Sequence, residues 1–255
     1  MARTLGKQRP QKFSSCSCQS CVASVMVRPM ATHFRETATI QFVADACASI
    51  AGALDSDPEA KHLARLWDSM TSKADELVLA RRTTERSLAR ARGKLAVMDA
   101  LWDPEIAAFG RDLVDHSGGK RDQAPYTRFF KNVNPSAVQD FGIDREVAHG
   151  NDFLAELGRD PNEALATKWL PRLGAVNENL ATAAVARRNA LQAVALQGTA
   201  EELFIADVNR ELDILEGDLL RLFPGQPKRV AAFLEATRPP TRRARVESDS
   251  SADPS

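Results

Sequence analysis

The sequence predicts an all-α protein, an antiparallel helical bundle dominated by two long helices. In the segments 58–116 and 161–222, apolar side chains recur at alternating steps of three and four residues, the spacing with which one helix packs along another. Helix start and stop signals stand at the ends of both segments. No segment has the composition and two-residue alternation of a convincing strand.

The composition fits a folded protein with a sizeable core. Of the 255 residues, 44% are hydrophobic and 27% are charged, which are ordinary values for a globular chain. We predict a helical domain over residues 33–237 and a disordered tail over 238–255. Residues 1–32 show no periodicity. We interpret them as a disordered extension, either because the true start lies at Met26 or Met30 or because this arm is natively disordered.

The first short helix is predicted over residues 33–54, and a start signal for the next helix follows it. Ser56 or Asp57 can cap that next helix, and Pro58 fits its first turn. Glu59 is an acid placed where the helix dipole favours one. The apolar stripe of the short helix consists of Ile40, Val43, Cys47, Ile50 and Leu54.

The first long helix is predicted over residues 58–116. Its apolar seam alternates steps of four and three residues over twelve positions, which is a repeat of 3.5 residues. At Pro104 the register skips one place. We expect a kink or a fresh helix start there, because proline lacks the backbone N–H. The seam positions are Leu63, Trp67, Met70, Ala74, Leu77, Arg81, Thr84, Leu88, Ala91, Leu95, Met98 and Trp102.

The second half of the chain follows the same scheme. The two glycines after Ser117 end the first long helix, and residues 118–134 are predicted to form an irregular loop. Further helices are predicted from apolar spacing and from the signals at Asp160-Pro161-Asn162-Glu163 and Phe223-Pro224-Gly225. The predicted segments are 135–141, 144–157, 161–222 and 228–236.

The two long helices resemble copies of one unit. A shift of 106 residues places Ala80-Arg81-Arg82 on Ala186-Arg187-Arg188. The register skip at 102–106 then falls on a similar skip at 208–212. We interpret this agreement as an internal repeat, in which two apolar stripes bury each other. The alternative is coincidence, because any two helices with a heptad spacing can be aligned in some register.

Two arginines, Arg81 and Arg187, occupy seam positions, where a charge is costly unless it is paired. One interpretation is an anion-binding or ligand-binding site inside the bundle, assisted by Glu201 or Gln197. A second is that each arginine lays its stem on the seam and keeps its charged group in water. A third is a structural ion pair. The carboxylates that we consider for such a pair are Glu76, Glu85 and Glu201.

Two Glu-x-x-His motifs are weak candidates for a metal site. Di-iron bundles use such motifs because the three-residue spacing places the carboxylate and the imidazole on one helix face. The candidates are Glu59 with His62 and Glu146 with His149. Their placement argues against a metal, because the first pair lies in a helix's first turn and the second beside Gly150.

The four cysteines favour a reduced, cytoplasmic protein. Cys16, Cys18 and Cys21 could bind zinc or copper as thiolates, but structural zinc needs four ligands, and only the isolated His33 is available. We therefore favour no metal at this cluster. Cys47 lies on an apolar stripe, where cysteine acts as a small hydrophobic side chain.

A basic run marks the first long helix. We interpret it as a solvated face that is matched to acidic residues opposite. Between residues 36 and 237 there are 31 acidic and 24 basic side chains, so this body is a poor binder of polyanions. Binding to nucleic acid through the basic tail at 242–245 is the least favoured function. The run consists of Arg81, Arg82, Arg86, Arg90, Arg92 and Lys94.

The sequence contains no glycine-rich phosphate loop, nucleophile elbow or His-Glu-x-x-His motif. It also lacks an apolar run of about 18 residues, so we expect no membrane span. We predict a cytoplasmic, non-catalytic helical scaffold or protein-interaction module. It would bind a protein partner or a second copy of itself. We predict no cofactor, and the sequence does not indicate a small-molecule ligand. The alternative is a ligand-binding or metal-binding bundle of ferritin-like type.

Overall fold

The computed structural model describes residues 31–131, 133–159 and 162–238. Seven α-helices and one 3₁₀ turn form within these residues, and no strand does, which confirms the all-α prediction. In chain order the elements are α1 (Ile40–Asp55), α2 (Lys61–His116), α3 (Tyr126–Phe130), α4 (Pro135–Gln139), α5 (Ile143–Leu157), α6 (Glu163–Leu222), α7 (Pro227–Phe233) and the 3₁₀ turn (Glu235–Thr237).

The two long helices, α2 and α6, lie antiparallel against each other. Two ion pairs mark the alignment: Arg81 Nη1 lies 2.5 Å from Glu201 Oε2, and Arg172 Nη2 lies 2.8 Å from Glu105 Oε2. Moving along α2 therefore means moving backwards along α6. At 1.5 Å per residue, the 56 residues of α2 and the 60 residues of α6 extend about 84 and 90 Å.

The packing of α2 against α6 uses the predicted seam. Leu88, near the middle of α2, is only 8% exposed, and Val194 of α6 is half-buried. Because each helix alone would leave this stripe in water, burying each large side chain contributes about 1.5–3 kcal/mol. Large, fully buried side chains on these two helices include Trp67, Trp102, Ile106, Phe109, Leu113, Leu165, Trp169 and Phe204.

The helix signals act locally, although not all as predicted. α2 begins at Lys61, three residues later than expected, and its N-cap residue Ala60 makes no side-chain cap; Asp57 Oδ1 instead accepts from the Glu59 backbone N–H at 3.0 Å in the turn before the helix. Asn162 Oδ1 accepts from the Leu165 N–H at 3.2 Å and caps α6. Gly118 and Gly119, at φ 65° and 84°, end α2 in the left-handed region that favours glycine.

Pro104 does not start a new helix, so that part of the expectation was wrong. α2 continues unbroken from Lys61 to His116. Proline removes one backbone hydrogen bond, but Trp102 and Ile106 are buried on either side of it and hold the helix against its neighbours. The Gln139 side-chain amide also donates to the Asp103 carbonyl at 2.6 Å.

The first core lies where α2 begins and α6 ends, and α1 and α7 complete it. α1 begins at Ile40, seven residues later than predicted, because Thr39 caps it by accepting from the Phe42 N–H at 3.3 Å. The chain before it is held along α6, where the Asn209 amide bonds both the N–H and the carbonyl of Phe34. Cys47 is buried in this core, as predicted.

The second core lies at the opposite end of the hairpin and is aromatic. The ring of Phe109 lies 5.1–6.0 Å from those of Phe129, Phe130, Phe153 and Trp169. The first two of these four rings belong to α3, which was predicted as irregular loop. A helix of five residues has too few turns to show a period, so only its packing reveals it.

Between the two cores lies a central section, which we define as residues 81–94 of α2 and 186–200 of α6. The first core reaches Val78 and Phe204, and the second core begins at Leu95 and Ala184. Within the central section only Leu88 and Ala190 are buried. Over about 20 Å, neither core extends between the two long helices, and the contact there with another described helix is at the α5 end, where Arg188 pairs with Asp144 at 3.5 Å.

Candidate interaction surface

Arg81 lies at the edge of the central section and is ion-paired. Its Nη1 donates to Glu201 Oε2 at 2.5 Å, and its Nε donates to Glu85 Oε1 at 2.9 Å. The Glu201 side chain is 6% exposed, whereas 46% of the Arg81 side chain is exposed. The other Glu201 oxygen accepts from Gln197 at 3.2 Å. The hydrogen bond from Arg81 to Glu201 is the main cause that raises the pKa of the guanidinium.

This geometry favours the ion-pair interpretation of Arg81 over an anion-binding site. Two of the three carboxylates that we considered, Glu85 and Glu201, contact its guanidinium. A cleft of about 570 Å³ opens beside the pair, at the start of α1. It is lined by two arginines and four acids, so an anion there would meet more negative than positive groups. The charged residues of the lining are Arg81, Arg82, Glu36, Glu85, Glu201 and Glu202.

Arg187 lies elsewhere. It lines a second cleft, of about 390 Å³, at the start of α5, together with Arg188 and Leu95. Glu201, which pairs with Arg81, is 14 residues further along α6 than Arg187, or about 21 Å. The structure therefore does not bring Arg81 and Arg187 into one site. The physical reason is that the two helices run in opposite directions. Two positions that correspond in the repeat alignment, such as Arg81 and Arg187, therefore lie at different heights along the helix pair.

The basic run on α2 is solvated, as predicted, and its first member, Arg81, has an acid opposite it on α6, Glu201, but the rest of the run faces no acid there. Arg82, Arg86, Arg90, Arg92 and Lys94 are all exposed. The facing stretch of α6, residues 186–200, contains no acid and two further arginines. The central section therefore carries eight basic side chains and a single acid. This excess of positive charge is local, because the body as a whole is acidic.

The α6 side of the central section is free of charge over an unusual length. Residues 189–200 are twelve consecutive uncharged residues in a helix that only α2 covers at this level. Leu191 and Leu196 are 37% and 65% exposed. An exposed helix face normally carries charged side chains. An uncharged face with protruding leucines is instead typical of a surface that another molecule covers.

Sequence reasoning missed this surface, although its signal is visible in the sequence. Within residues 189–200, the heptad seam explains why Ala190, Val194 and Gln197 are uncharged. It does not explain why the positions that face away from α2 also lack charge. Only the structure shows that no other described helix covers them.

Glu59 and His62 do not form a metal site with any other residue that the structure describes. Glu59 Oε1 lies 3.6 Å from Arg229 Nη2, in the joint between α2 and α7. His62 lines a small groove with Leu66 and Ile214 at the other side of the hairpin end. These two side chains therefore have separate structural surroundings.

Glu146 is buried, at 2% exposure, on α5, which packs against α6, and its carboxyl meets Asp99 and Asp103 of α2. Burial is the main cause that raises the pKa of the Glu146 carboxyl to about 8. The negative charge of Asp99, its hydrogen bond to Glu146 and the charge of Asp103 raise this pKa further. Burial also raises the pKa of Asp103, with Asp99 and Asp140 contributing. The group is thus a cluster of carboxyls in which Glu146 holds a proton at neutral pH.

His149 does not join this carboxyl cluster. Its ring stacks on Phe141 at 5.0 Å and lines a different cleft, with Phe153 and Arg128. Within residues 31–131, 133–159 and 162–238, no group of three or more His, Cys, Asp or Glu side chains is arranged to hold a metal ion. The cysteines at 16, 18 and 21, predicted not to bind metal, lie outside the described residues.

Burial raises the pKa of the Cys47 thiol to about 12, so this group is a thiol and not a thiolate at neutral pH. None of the helices that the structure describes is both long and apolar enough to cross a lipid bilayer.

No family model, curated protein or solved structure matches the chain.

Proposed function

We propose that this protein is a non-catalytic helical scaffold that binds another protein chain through its central section. The observation that carries the proposal is the uncharged, leucine-bearing stretch 189–200 of α6 beside the unmatched basic run of α2. Exposed apolar patches of this kind mark interaction surfaces in soluble proteins.

The architecture supports the proposal because it presents the central section on a rigid support. A buried core at each end fixes both long helices, so the exposed stretch between them keeps its shape without a partner. Preformed surfaces bind with less loss of conformational entropy than flexible ones. Leu196, at 65% exposure, belongs to neither buried core and is accessible to a partner.

Site-specific photocrosslinking tests the proposal on the full chain in its own cells. A photoreactive amino acid replaces Leu191 or Leu196 in separate variants, and each adduct is identified by mass spectrometry. We expect one defined protein adduct from the central section, because a partner there lies within contact distance. Leu66 is the matched control, since it is also an exposed leucine, at 46%, but lies outside the central section.

Adducts that form equally at Leu66, or an absence of protein adducts at both central positions, would contradict the proposal. As a further check, the central adduct should disappear when Arg86 and Arg90 are both changed to Glu. These two side chains are exposed, so the reversal changes the surface charge without disturbing the core.

A further inference from the structure

The surface of the central section has two sides, and one of them is a groove closed at both ends. On α2, Val78, Glu85, Arg92 and Asp99 follow at seven-residue intervals and therefore lie on one helix face. Val78 packs in the first core beside the start of α1, and Asp99 meets Glu146 of α5. The two middle residues, Glu85 and Arg92, lie on the same face, and neither core of the described residues extends over them.

The same pattern occurs on α6. Asn177, Ala184, Leu191, Gly198 and Ile205 also follow at seven-residue intervals. Asn177 Nδ2 donates to Asn151 of α5 at 2.9 Å, and the last residue of the series packs in the first core. The open groove thus lies between the start of α1 and the start of α5, and the two clefts described above form its ends. By helical spacing, the positions on the facing sides of α2 and α6 along this groove are Glu85, Ala89, Arg92, Leu191, Ala195 and Gly198.

The groove has the length and floor of a helix-binding site. The interval from Gly198 to Ala184 is 14 residues, or about 21 Å, and a helix of about 14 residues has the same length. Ala89, Ala195 and Gly198 are small, so a helix can approach closely, while Leu191 offers an apolar contact. A helix placed here would lie in line with α1 and α5.

Charge determines which helix fits. Arg92 stands on the groove face, and within the central section the only acid is Glu85. Arg82 and Arg188 lie at the two ends of the groove, where Arg82 shares its cleft with four acids and Arg188 pairs with Asp144 at 3.5 Å. We propose that the groove binds an amphipathic helix of another protein, with apolar residues against Leu191 and acidic residues against Arg92. This inference rests on the proposed function and adds to it the chemistry of the partner.

Other occupants fit less well. In a symmetric pair of copies, the same surface meets itself, so Arg92 and the net positive charge of one central section would face those of the other. Nucleic acid would place phosphates over Leu191 and beside Glu201 and Glu202. A flat bilayer cannot enter a groove that helices close at both ends. The positive charge and the apolar floor together favour an acidic, amphipathic protein segment.

The test is a binding titration with the full chain and four fluorescent probes. The first probe is a synthetic helix of about 14 residues with leucine on one face and glutamate on the other. The second has the same sequence with lysine in place of each glutamate. The third and fourth are a short duplex DNA and vesicles of an anionic phospholipid. We expect saturable binding of the glutamate peptide alone.

Matched variants locate the binding site. We expect Leu191→Asp and Arg92→Glu each to weaken binding of the glutamate peptide by about tenfold, because each introduces a negative charge into the groove. Leu196→Asp is the control, since Leu196 is even more exposed but lies outside the groove lining. It should leave the affinity unchanged, and circular dichroism should show that all three variants remain folded.

The inference is wrong if the glutamate peptide does not bind, if the lysine peptide binds equally well, or if Leu196→Asp weakens binding as much as Leu191→Asp. Tighter binding of the DNA or the vesicles through Arg92 would also overturn it. In each of these cases the proposed function can still hold, because photocrosslinking at Leu196 detects a protein partner on the other side of α6.

Discussion

At the scale of single residues, Glu146 carries the most altered acid–base chemistry of the described chain. Its pKa is about 8 in the folded protein, chiefly because of burial, and 4.5 is its ordinary value. The unfolded chain therefore loses this proton at lower pH than the folded chain. As the pH rises from 4.5 towards 8, unfolding releases a proton, so this group's contribution to stability falls.

We predict that Glu146→Gln flattens this pH dependence. The neutral amide can donate to Asp99 as the protonated carboxyl does, and it cannot ionise. Urea unfolding midpoints measured across the window should fall with rising pH for the natural protein and stay more level for the variant. Glu178→Gln, on an exposed part of α6, is the control and should follow the natural profile. Identical profiles for the natural protein and Glu146→Gln would exclude a proton held by this residue.

The Arg81–Glu201 pair leads to a second prediction. Arg81→Met leaves the buried Glu201 carboxylate without its cation, and we expect a loss of about 1–2 kcal/mol in the free energy of unfolding, reduced because Arg81 is half-exposed. Adding Glu201→Met should restore most of that loss, since the buried charge is then gone.

Urea denaturation of the single and double variants measures this coupling. Arg82→Met is the matched control, because Arg82 is the exposed neighbour, and we expect a change of less than about 0.5 kcal/mol. If the double variant shows only the sum of the two single losses, the two side chains are not coupled, and Arg81 is free for the ligand-binding role that the seam also suggested.

At the scale of helices, the contact of α5 with α6 depends on one glycine. A Cβ on Gly150 would collide with the side-chain amide of Asn177. That amide is held by bonds to Asn151 and to the Val147 carbonyl. The two helices can therefore approach closely only because position 150 has no side chain.

We predict that Gly150→Ala lowers the stability by about 1–3 kcal/mol, because the α5–α6 contact becomes overpacked. Removing the obstructing amide as well, in Gly150→Ala with Asn177→Ala, should recover part of it. Gly93→Ala is the control: a Cβ there meets nothing within 4 Å, and alanine favours the helix by about 0.5–1 kcal/mol. Thermal unfolding of the three variants checks these directions, and a stable Gly150→Ala would show that α5 can shift.

At the scale of the whole molecule, the two cores are separate. No buried cluster among the described residues extends across the central section, where Leu88 and Ala190 are the only buried positions. Trp67 belongs to the first core. Trp169 belongs to the second, where its Nε1 donates to Asp112 at 2.5 Å. Local opening of one end therefore has little physical reason to open the other.

We predict that Trp67→Ala lowers hydrogen-exchange protection in α1 and α7 and leaves α5 protected. Trp169→Ala should lower protection in α5 and leave α1 and α7 protected. Each change removes a fully buried indole and should cost about 3–5 kcal/mol at its own end. Amide hydrogen exchange read by mass spectrometry compares the two variants, each of which serves as the control for the other. Equal loss of protection at both ends would show one cooperative unit.

The sequence by itself determined the helices. The seam, the capping residue Asn162, the turn at Asp57 and the glycines after Ser117 act within a few residues, so their effect can be read without knowledge of the fold. The Arg81–Glu201 contact was also among the predicted alternatives. The repeat remains a prediction, and α3 was missed.

Only the tertiary structure decided which side chains meet and which remain in water. It placed Glu146 against Asp99 and turned His149 towards Phe141, and it separated Arg81 from Arg187 by about 21 Å. It also left residues 189–200 uncovered between two cores. Apolar periodicity shows that a helix has a face to bury. It does not show which element packs on that face at each position along the helix. The cover depends on where the short helices dock, and contacts between distant parts of the chain fix that position.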